Sequence, residues 1–177
     1  MSSAQHASDQ ATSTLPDPAS MAFASALTFA MEGEIFAIDA QSVREIVEVP
    51  PITAVPGATA ALDGLVNVRG RIVPVADLRV AFGMDRAPLD DDCRIIVIET
   101  DLDGEATTIG LLAEKVLDVA NLEGLPIEPA PALGMRWRSD FVAAIVHRDA
   151  QFVILPSLPV ILSSFQGGAA AASPNLA

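Results

Sequence analysis

Cysteine is almost absent from this chain: its 177 residues include only one, Cys93. A single thiol excludes an intramolecular disulfide, and such low cysteine usage suits a reducing compartment. Cys93 stands at the start of the apolar run from Arg94 to Ile98. We expect it to be a small buried hydrophobe near a strand end rather than a reactive thiol.

Positive charge is also scarce, with 10 Lys and Arg residues against 23 Asp and Glu residues, a net charge of −13 and a pI near 4.3. Phosphate backbones and anionic membrane surfaces are poor partners for so acidic a chain. Aromatic residues make up only 5% and tyrosine is missing, whereas a site for single-stranded nucleic acid needs a basic groove with stacking aromatics. We therefore expect no nucleic-acid partner.

Signals for secretion and membrane spanning are missing as well. The first 20 residues contain two acids, Asp9 and Asp17, and no Lys or Arg. A signal peptide, in contrast, has a basic start. The uncharged stretch from Pro18 to Met31 is shorter than the roughly 20 apolar residues that a spanning helix needs. The sequence predicts a cytoplasmic protein with no direct membrane insertion.

Enzyme signatures are absent: there is no glycine-rich dinucleotide or phosphate loop, no nucleophile elbow and no paired-histidine zinc motif. The tripeptide 147–149 (HRD) spells the start of a kinase catalytic loop but lacks the glycine-rich loop and strand lysine that a kinase needs. We interpret the acids Asp90, Asp91 and Asp92 as a solvated loop rather than a metal site. We expect no catalytic residue, no metal and no cofactor; a small acidic enzyme with a dispersed site or a ligand-binding barrel stays open as the alternative.

The chain does contain a series of short apolar runs separated by turn residues. Counting them gives about ten strands with little helix, which predicts an all-β barrel or pair of barrels. Hairpin turns are expected at residues 32–34, 103–104 and 148–150. Composition predicts a disordered leader over residues 1–20, a domain over 21–164 and a flexible tail over 165–177. Pro156 and Pro159 argue against a long helix near the C-terminus.

The most informative stretch runs from Leu62 to Met84. Two strands flank a corner at Arg69-Gly70-Arg71, where Gly70 supplies the backbone freedom for a sharp reversal. Pro74 cannot donate a ladder hydrogen bond, so the second strand should lie at a sheet edge or carry a bulge there. Asp77 and Gly83 should then bound one or two helical turns. An arginine raised on a glycine corner beside an open strand edge is typical of a docking surface rather than a catalytic cleft.

Upstream of this stretch, Asp39 is expected to cap a short turn. The spacing of Val43, Ile46 and Val47 predicts a shared helical face. Glu45 would then be an acid on the helix surface, with Arg44 or Arg69 as its ion-pair partner.

Three segments in order along the chain carry a family resemblance: EIFAID at 34–39, VREI at 43–46, and GLVNVRG at 64–70 followed by IVPVADLR at 72–79. They resemble the CheW-like coupling proteins of bacterial chemosensory arrays, and the resemblance covers about residues 22 to 163. It implies two intertwined five-stranded, SH3-like β-barrel subdomains around a shared apolar seam, without catalysis. It also implies two partners: the cytoplasmic tip of methyl-accepting chemotaxis receptors and the regulatory domain of a CheA-type histidine kinase.

The resemblance also assigns individual residues. Val43, Gly64 and Arg69 match positions implicated in receptor contact, and Glu45 lies close to them. With the corner included, the predicted receptor-binding residues are Val43, Glu45, Gly64, Asn67, Arg69 and Gly70. Ile46 is the expected kinase contact, whereas the arginine-flanked Trp137 receives no role. Whether the pathway controls swimming or another output stays open.

Overall fold

The computed structural model describes residues 23–131 and 134–167. The predicted leader and residues 168–177 of the predicted tail lie outside the described residues. Within them the chain forms eleven β-strands, two α-helices and two 3-10 turns. The strands are β1 (Ala26–Met31), β2 (Glu34–Asp39), β3 (Val43–Glu48), β4 (Leu62–Val68), β5 (Arg71–Ala76), β6 (Arg94–Leu102), β7 (Glu105–Ala113), β8 (Lys115–Ala120), β9 (Ile127–Glu128), β10 (Val142–Arg148) and β11 (Gln151–Pro156). The helices are α1 (Leu78–Ala81) and α2 (Leu158–Gly167), and the 3-10 turns cover Ala40–Ser42 and Ser139–Phe141.

The strands form two sheets, and the chain leaves the first sheet and later returns to it. The first sheet has the order β8-β1-β2-β11-β10-β9, and the second has the order β3-β6-β7-β5-β4. Neighbours are antiparallel except for β2 with β11 and β5 with β7. The all-β fold class with two interleaved subdomains is confirmed. The first sheet has six strands rather than five, because the two-residue β9 adds to β10 at its edge.

Three apolar clusters stabilise this arrangement. One lies within the first sheet and another within the second. The largest joins the two sheets, with Phe29 and Phe36 from the first, Ile96 and Leu111 from the second, and Phe82 from the end of α1. Burial of each such side chain stabilises the fold by roughly 1.5–3 kcal/mol. This shared core is the apolar seam that the family resemblance implies.

Four hairpins have two-residue loops whose backbone is left-handed. Such loops match the twist of the flanking strands, and both central residues need a positive φ. The φ angles are +47° and +80° at Glu32 and Gly33, +52° and +83° at Arg69 and Gly70, +55° and +85° at Asp103 and Gly104, and +47° and +62° at Asp149 and Ala150. All the predicted hairpins are therefore present.

The predicted helical face at Val43 is wrong, because residues 43–48 form strand β3. Burial alternates along it, with Val43, Glu45 and Val47 half-buried and the intervening residues exposed. The strand pairs with β6 in the second sheet, and this non-local pairing decides between two local readings that the apolar spacing allows equally. The cap at Asp39 is confirmed, since its Oδ1 accepts the Gln41 N–H at 2.9 Å.

The position of Pro74 also differs from the prediction. Its strand, β5, lies inside the second sheet between β7 and β4 rather than at an edge. Pairing with β7 begins only at Val75, so the sheet requires no donor from Pro74 on that side. The register shift occurs in the partner strand, between Leu62 and Gly64. Helix α1 is present as predicted, and the Asp77 side chain accepts the Arg79 N–H at its start.

The C-terminal helix α2 is a further correction. It runs over Leu158–Gly167 and so includes the first residues of the segment predicted as a flexible tail. Pro159 lies in its first turn, where a backbone N–H has no intrahelical acceptor and proline is tolerated. Leu158, Ile161 and Leu162 anchor the helix in the shared core. Neither described helix has the length and hydrophobicity that crossing a membrane requires.

Replacing Ile161 with alanine tests the anchoring of α2. Ile161 is fully buried, so the cavity should lower the free energy of unfolding by about 2–5 kcal/mol in urea denaturation. The adjacent Val160 is 36% exposed and provides the control, with an expected change for Val160→Ala of about 0.5 kcal/mol. Equal effects of the two substitutions would contradict this packing.

Candidate functional site

The predicted receptor-binding residues lie on the two edge strands of the second sheet, β3 and β4, and on the β4–β5 hairpin. Arg69 Nε and Glu45 Oε2 are 2.8 Å apart, so the sheet curls until its opposite edges meet. The Arg69 side chain is 81% exposed and that of Glu45 29%. Arg44 instead pairs with Glu99 on the neighbouring strand. We call the set Val43, Glu45, Gly64, Asn67, Arg69 and Gly70 the corner surface.

Asn67 holds the hairpin that carries Arg69. Its Oδ1 accepts the Gly70 N–H at 2.8 Å, which closes the loop from the side. Arg69 occupies the left-handed region at φ +52°, a conformation that is uncommon for residues other than glycine. The side-chain hydrogen bond helps to keep Arg69 in this conformation, and its guanidinium is directed to solvent beside Glu45.

Gly64 supports the corner surface from below rather than forming part of its exposed area. The residue is buried at φ +146°, and a Cβ there would lie 2.3 Å from the Thr53 carbonyl oxygen. The chain at Thr53 pairs antiparallel with β4 and exchanges two backbone hydrogen bonds of 2.8 Å with Leu65. Only glycine allows this close approach of the two backbones.

The two faces of β3 carry different predicted contacts. Val43 is half-buried and packs against the shared core. Ile46, on the opposite face from Glu45, is 40% exposed. Ile72, which the sequence analysis leaves out, is 65% exposed and lies across the hairpin from Asn67. Its outward position in the alternation of β5 is the signal that could have identified it.

A second exposed apolar region lies at the end of the first sheet, in a groove of about 610 Å³. Trp137 lines it and packs edge-on against Phe82, with ring centroids 5.4 Å apart. Phe152 and Met135 are exposed at the groove, and Glu32, Glu34 and Glu128 add negative charge to it. Trp137 is thus partly a core residue, a role that only the tertiary packing discloses.

Outside the corner surface, the acidic run and Cys93 are two of the titratable features that the sequence singles out. Across residues 23–131 and 134–167, no group of three or more His, Cys, Asp or Glu side chains could hold a metal ion. The acidic run forms a turn in which hydrogen bonds from the Cys93 thiol and the Asp92 backbone lower the pKa of Asp90. Burial raises the pKa of the Cys93 thiol, whereas a nucleophilic cysteine has a lowered pKa.

Comparison with known proteins identifies the family. The family model described as CheW-like domain matches residues 25–166. The chain belongs to the CheW-like family. The fold of the family's scaffolding protein TtCheW from Thermoanaerobacter tengcongensis, known from a crystal structure, matches with a TM-score of 0.68 and 29% sequence identity, over 77% of this chain and 90% of that one.

Named relatives of the CheW-like family support the same assignment. The chain is 28% identical over 144 residues to the probable chemotaxis protein CheW of Rhizobium etli, covering 81% of this chain and 90% of the relative. It is 29% identical over 147 residues to protein PilI of Pseudomonas aeruginosa, covering 81% of this chain and 77% of the relative. The chain is therefore a member of the CheW-like family of scaffold and adaptor proteins.

Gly64→Ala should destabilise the protein more than Gly70→Ala. Both glycines have positive φ, but only at Gly64 would the added Cβ collide with backbone atoms. We expect Gly70→Ala to cost about 1–2 kcal/mol of unfolding free energy from backbone strain alone. Gly64→Ala should lower the unfolding free energy by about 1–3 kcal/mol more, because the added Cβ overpacks the site. Urea denaturation of the two variants measures the difference, and equal losses would refute the close approach at Thr53.

Proposed function

We propose that this protein is a non-enzymatic adaptor that couples methyl-accepting chemoreceptors to a CheA-type histidine kinase. The observation that carries the proposal is membership of the CheW-like family together with an exposed, preformed corner surface. The adaptor would bind the cytoplasmic tip of the receptors and the regulatory domain of the kinase. It would work in the cytoplasm at membrane-associated receptor arrays, without a cofactor, and receptor conformation would bias the kinase through the shared interfaces.

The corner surface is the receptor-binding site in this proposal. In the free protein the exposed Arg69–Glu45 pair contributes little to stability, about 0–1 kcal/mol. The same guanidinium gains far more when a partner carboxylate and apolar neighbours exclude water, and truncating such a contact costs roughly 2–5 kcal/mol. Val43 and Ile72 supply apolar surface on the two strands that flank the ion pair. Asn67, Gly70 and Gly64 act by holding the backbone in place.

Ile46 is the proposed kinase contact. It lies on the face of β3 opposite to Glu45, and its apolar side chain is exposed. An adaptor must bind two partners at once, and contacts on opposite faces of one strand satisfy this requirement. A rigid strand between the two contacts would also bring a receptor-induced displacement directly to the kinase.

An adaptor of a chemosensory-like pathway with an output other than motility is the second candidate. The observation in its favour is the similarity to PilI, whose name, unlike that of the Rhizobium etli relative, does not mention chemotaxis. Both candidates use the same two surfaces. Deleting the gene and recording swimming beside other surface behaviours distinguishes them.

Reversing the charge at Arg69 tests the receptor site. In co-sedimentation with receptor-containing membranes and a CheA-type kinase, Arg69→Glu should bind at least about 10-fold more weakly than wild type, because it replaces the proposed contact with a repulsion. Arg138→Glu is the control, since Arg138 is likewise exposed and ion-paired, with Asp140. Failure of the wild type to recruit kinase would reject the adaptor function.

The charge swap Arg69→Glu with Glu45→Arg separates two explanations of that loss. It rebuilds the ion pair between β3 and the hairpin while leaving the wrong charge at the hairpin tip. If Arg69 contacts a receptor carboxylate, the double variant should bind receptor-containing membranes as weakly as Arg69→Glu does. Restored recruitment would mean that the pair only closes the corner.

Ile46→Asp tests the kinase contact. It should lower kinase recruitment about 10-fold while binding to receptor membranes without kinase stays at the wild-type level, because an interface desolvates the added carboxylate. Leu89→Asp is the control, because Leu89 is 47% exposed and lies in the loop after α1. Equal kinase binding by wild type and Ile46→Asp would remove Ile46 from the site.

A further inference from the structure

Glu114 is the single residue between β7 of the second sheet and β8 of the first, so it forms the crossover between the two sheets. Its backbone N–H donates to the Ala30 carbonyl at 3.2 Å. Its Oε2 accepts the Glu32 N–H at 2.8 Å, in the β1–β2 hairpin. Both the backbone and the side chain of Glu114 therefore form hydrogen bonds with the first sheet.

The other carboxylate oxygen of Glu114 faces the second sheet. Its Oε1 accepts from Arg79 Nη1 of α1 at 3.0 Å. The Arg79 side chain is only 3% exposed, and its Nε and Nη2 donate to Asp77 at 3.0 and 2.9 Å. Hydrogen bonds to Asp77 and Glu114 raise the pKa of the Arg79 guanidinium, a group that proteins keep protonated in any case.

Arg86 extends these contacts to the corner surface. Its Nε donates to Asp77 Oδ2 at 3.0 Å, and its Nη2 donates to the carboxylate of Asp63. Asp63 lies in β4 directly before Gly64. An unbroken series of charged contacts thus connects the β1–β2 hairpin of the first sheet with the strand that carries the corner surface. We call Glu114, Arg79, Asp77, Arg86 and Asp63 the ion-pair chain.

We propose that the ion-pair chain positions β4 and its hairpin relative to the first sheet, with Glu114 as the positioning residue at the crossover. Its importance for receptor binding rests on the function proposed above. A shared apolar core holds two sheets together without specifying direction, since burial of apolar area is non-directional. Bidentate arginine contacts do specify direction. The buried Arg79–Asp77 pair adds little net stability compared with apolar residues of the same volume, and the contacts of the partly exposed Arg86 add little because water screens them. Positioning is therefore the better reason for five charged groups here.

Amide hydrogen exchange in Glu114→Gln tests the proposal without any partner. Glutamine keeps the size and an acceptor oxygen but loses the charge that binds Arg79. We expect the exchange of amides 64–70 in β4 and the hairpin to accelerate about 10-fold, while amides in β10 and β11 keep their rates. Asp140→Asn is the control, because it removes an exposed ion pair that is not part of the ion-pair chain. It should leave the exchange rates of amides 64–70 unchanged. Unchanged exchange at these amides in Glu114→Gln would overturn the proposal.

A double-mutant cycle then tests whether the contacts act as one unit. If they do, Glu114→Gln should add nothing to the exchange of amides 64–70 in an Asp63→Asn background, since the connection is already broken. Independent, additive accelerations would overturn the proposal. Arg86→Lys serves where Glu114→Gln does not fold: Arg86 is 44% exposed, and lysine keeps the charge but cannot bridge two carboxylates with a planar fork. It should likewise accelerate exchange at amides 64–70, and unchanged exchange would overturn the proposal.

Receptor recruitment completes the test. Glu114→Gln should lower recruitment to receptor membranes about 3-fold or more although the residue lies outside the corner surface. Normal recruitment by Glu114→Gln beside a functional wild type would overturn the positioning role. If the wild type itself is not recruited, the proposed function fails, and the exchange measurements still decide the role of the ion-pair chain.

Discussion

Both sheets depend on one shared apolar core, because each of them has an apolar face that the other covers. Phe36 of the first sheet and Phe82 at the end of α1 lie at its centre, with ring centroids 5.1 Å apart. Helix α2 covers the core with Ile161. The order of strands follows from this constraint: the chain builds a hairpin of the first sheet, then the whole second sheet, and returns to complete the first. The parallel pair of β2 with β11 is the consequence of that return, whereas β5 and β7 pair in parallel within the second sheet.

The curl of the second sheet is what turns separate sequence segments into a surface. It brings β3 against the β4–β5 hairpin, so that Glu45 and Arg69 form an ion pair although they belong to opposite edges. Neither strand would provide this pair in a flat sheet. Three contacts lie around this pair: Asn67 closes the loop, Gly64 allows the close approach of Thr53 to β4, and Arg86 contacts Asp63 at the start of the same strand.

Local chemistry was sufficient to predict some of this and not the rest. The left-handed loop at Arg69-Gly70 and the cap at Asp77 could be predicted, because they depend on a few adjacent residues. The spacing of the apolar residues in β3 fits a helical turn as well as a strand, and only the pairing with β6 decides between them. The interior position of β5 depends on its parallel pairing with β7, a contact distant in sequence. The burial of Arg79 could not be predicted from the sequence either, because arginine is rarely buried and its partner Glu114 is 35 positions away.

Amide chemical-shift mapping on the labelled protein tests the receptor site most directly. A fragment of a chemoreceptor's cytoplasmic tip is titrated into the full chain, and shift changes are recorded residue by residue. The predicted result is a contiguous set of changes at residues 43–48 and 64–72, with small changes at Phe152 and elsewhere in the first-sheet groove. Changes concentrated in that groove, with the Arg69 hairpin unaffected, would contradict the assignment of the corner surface.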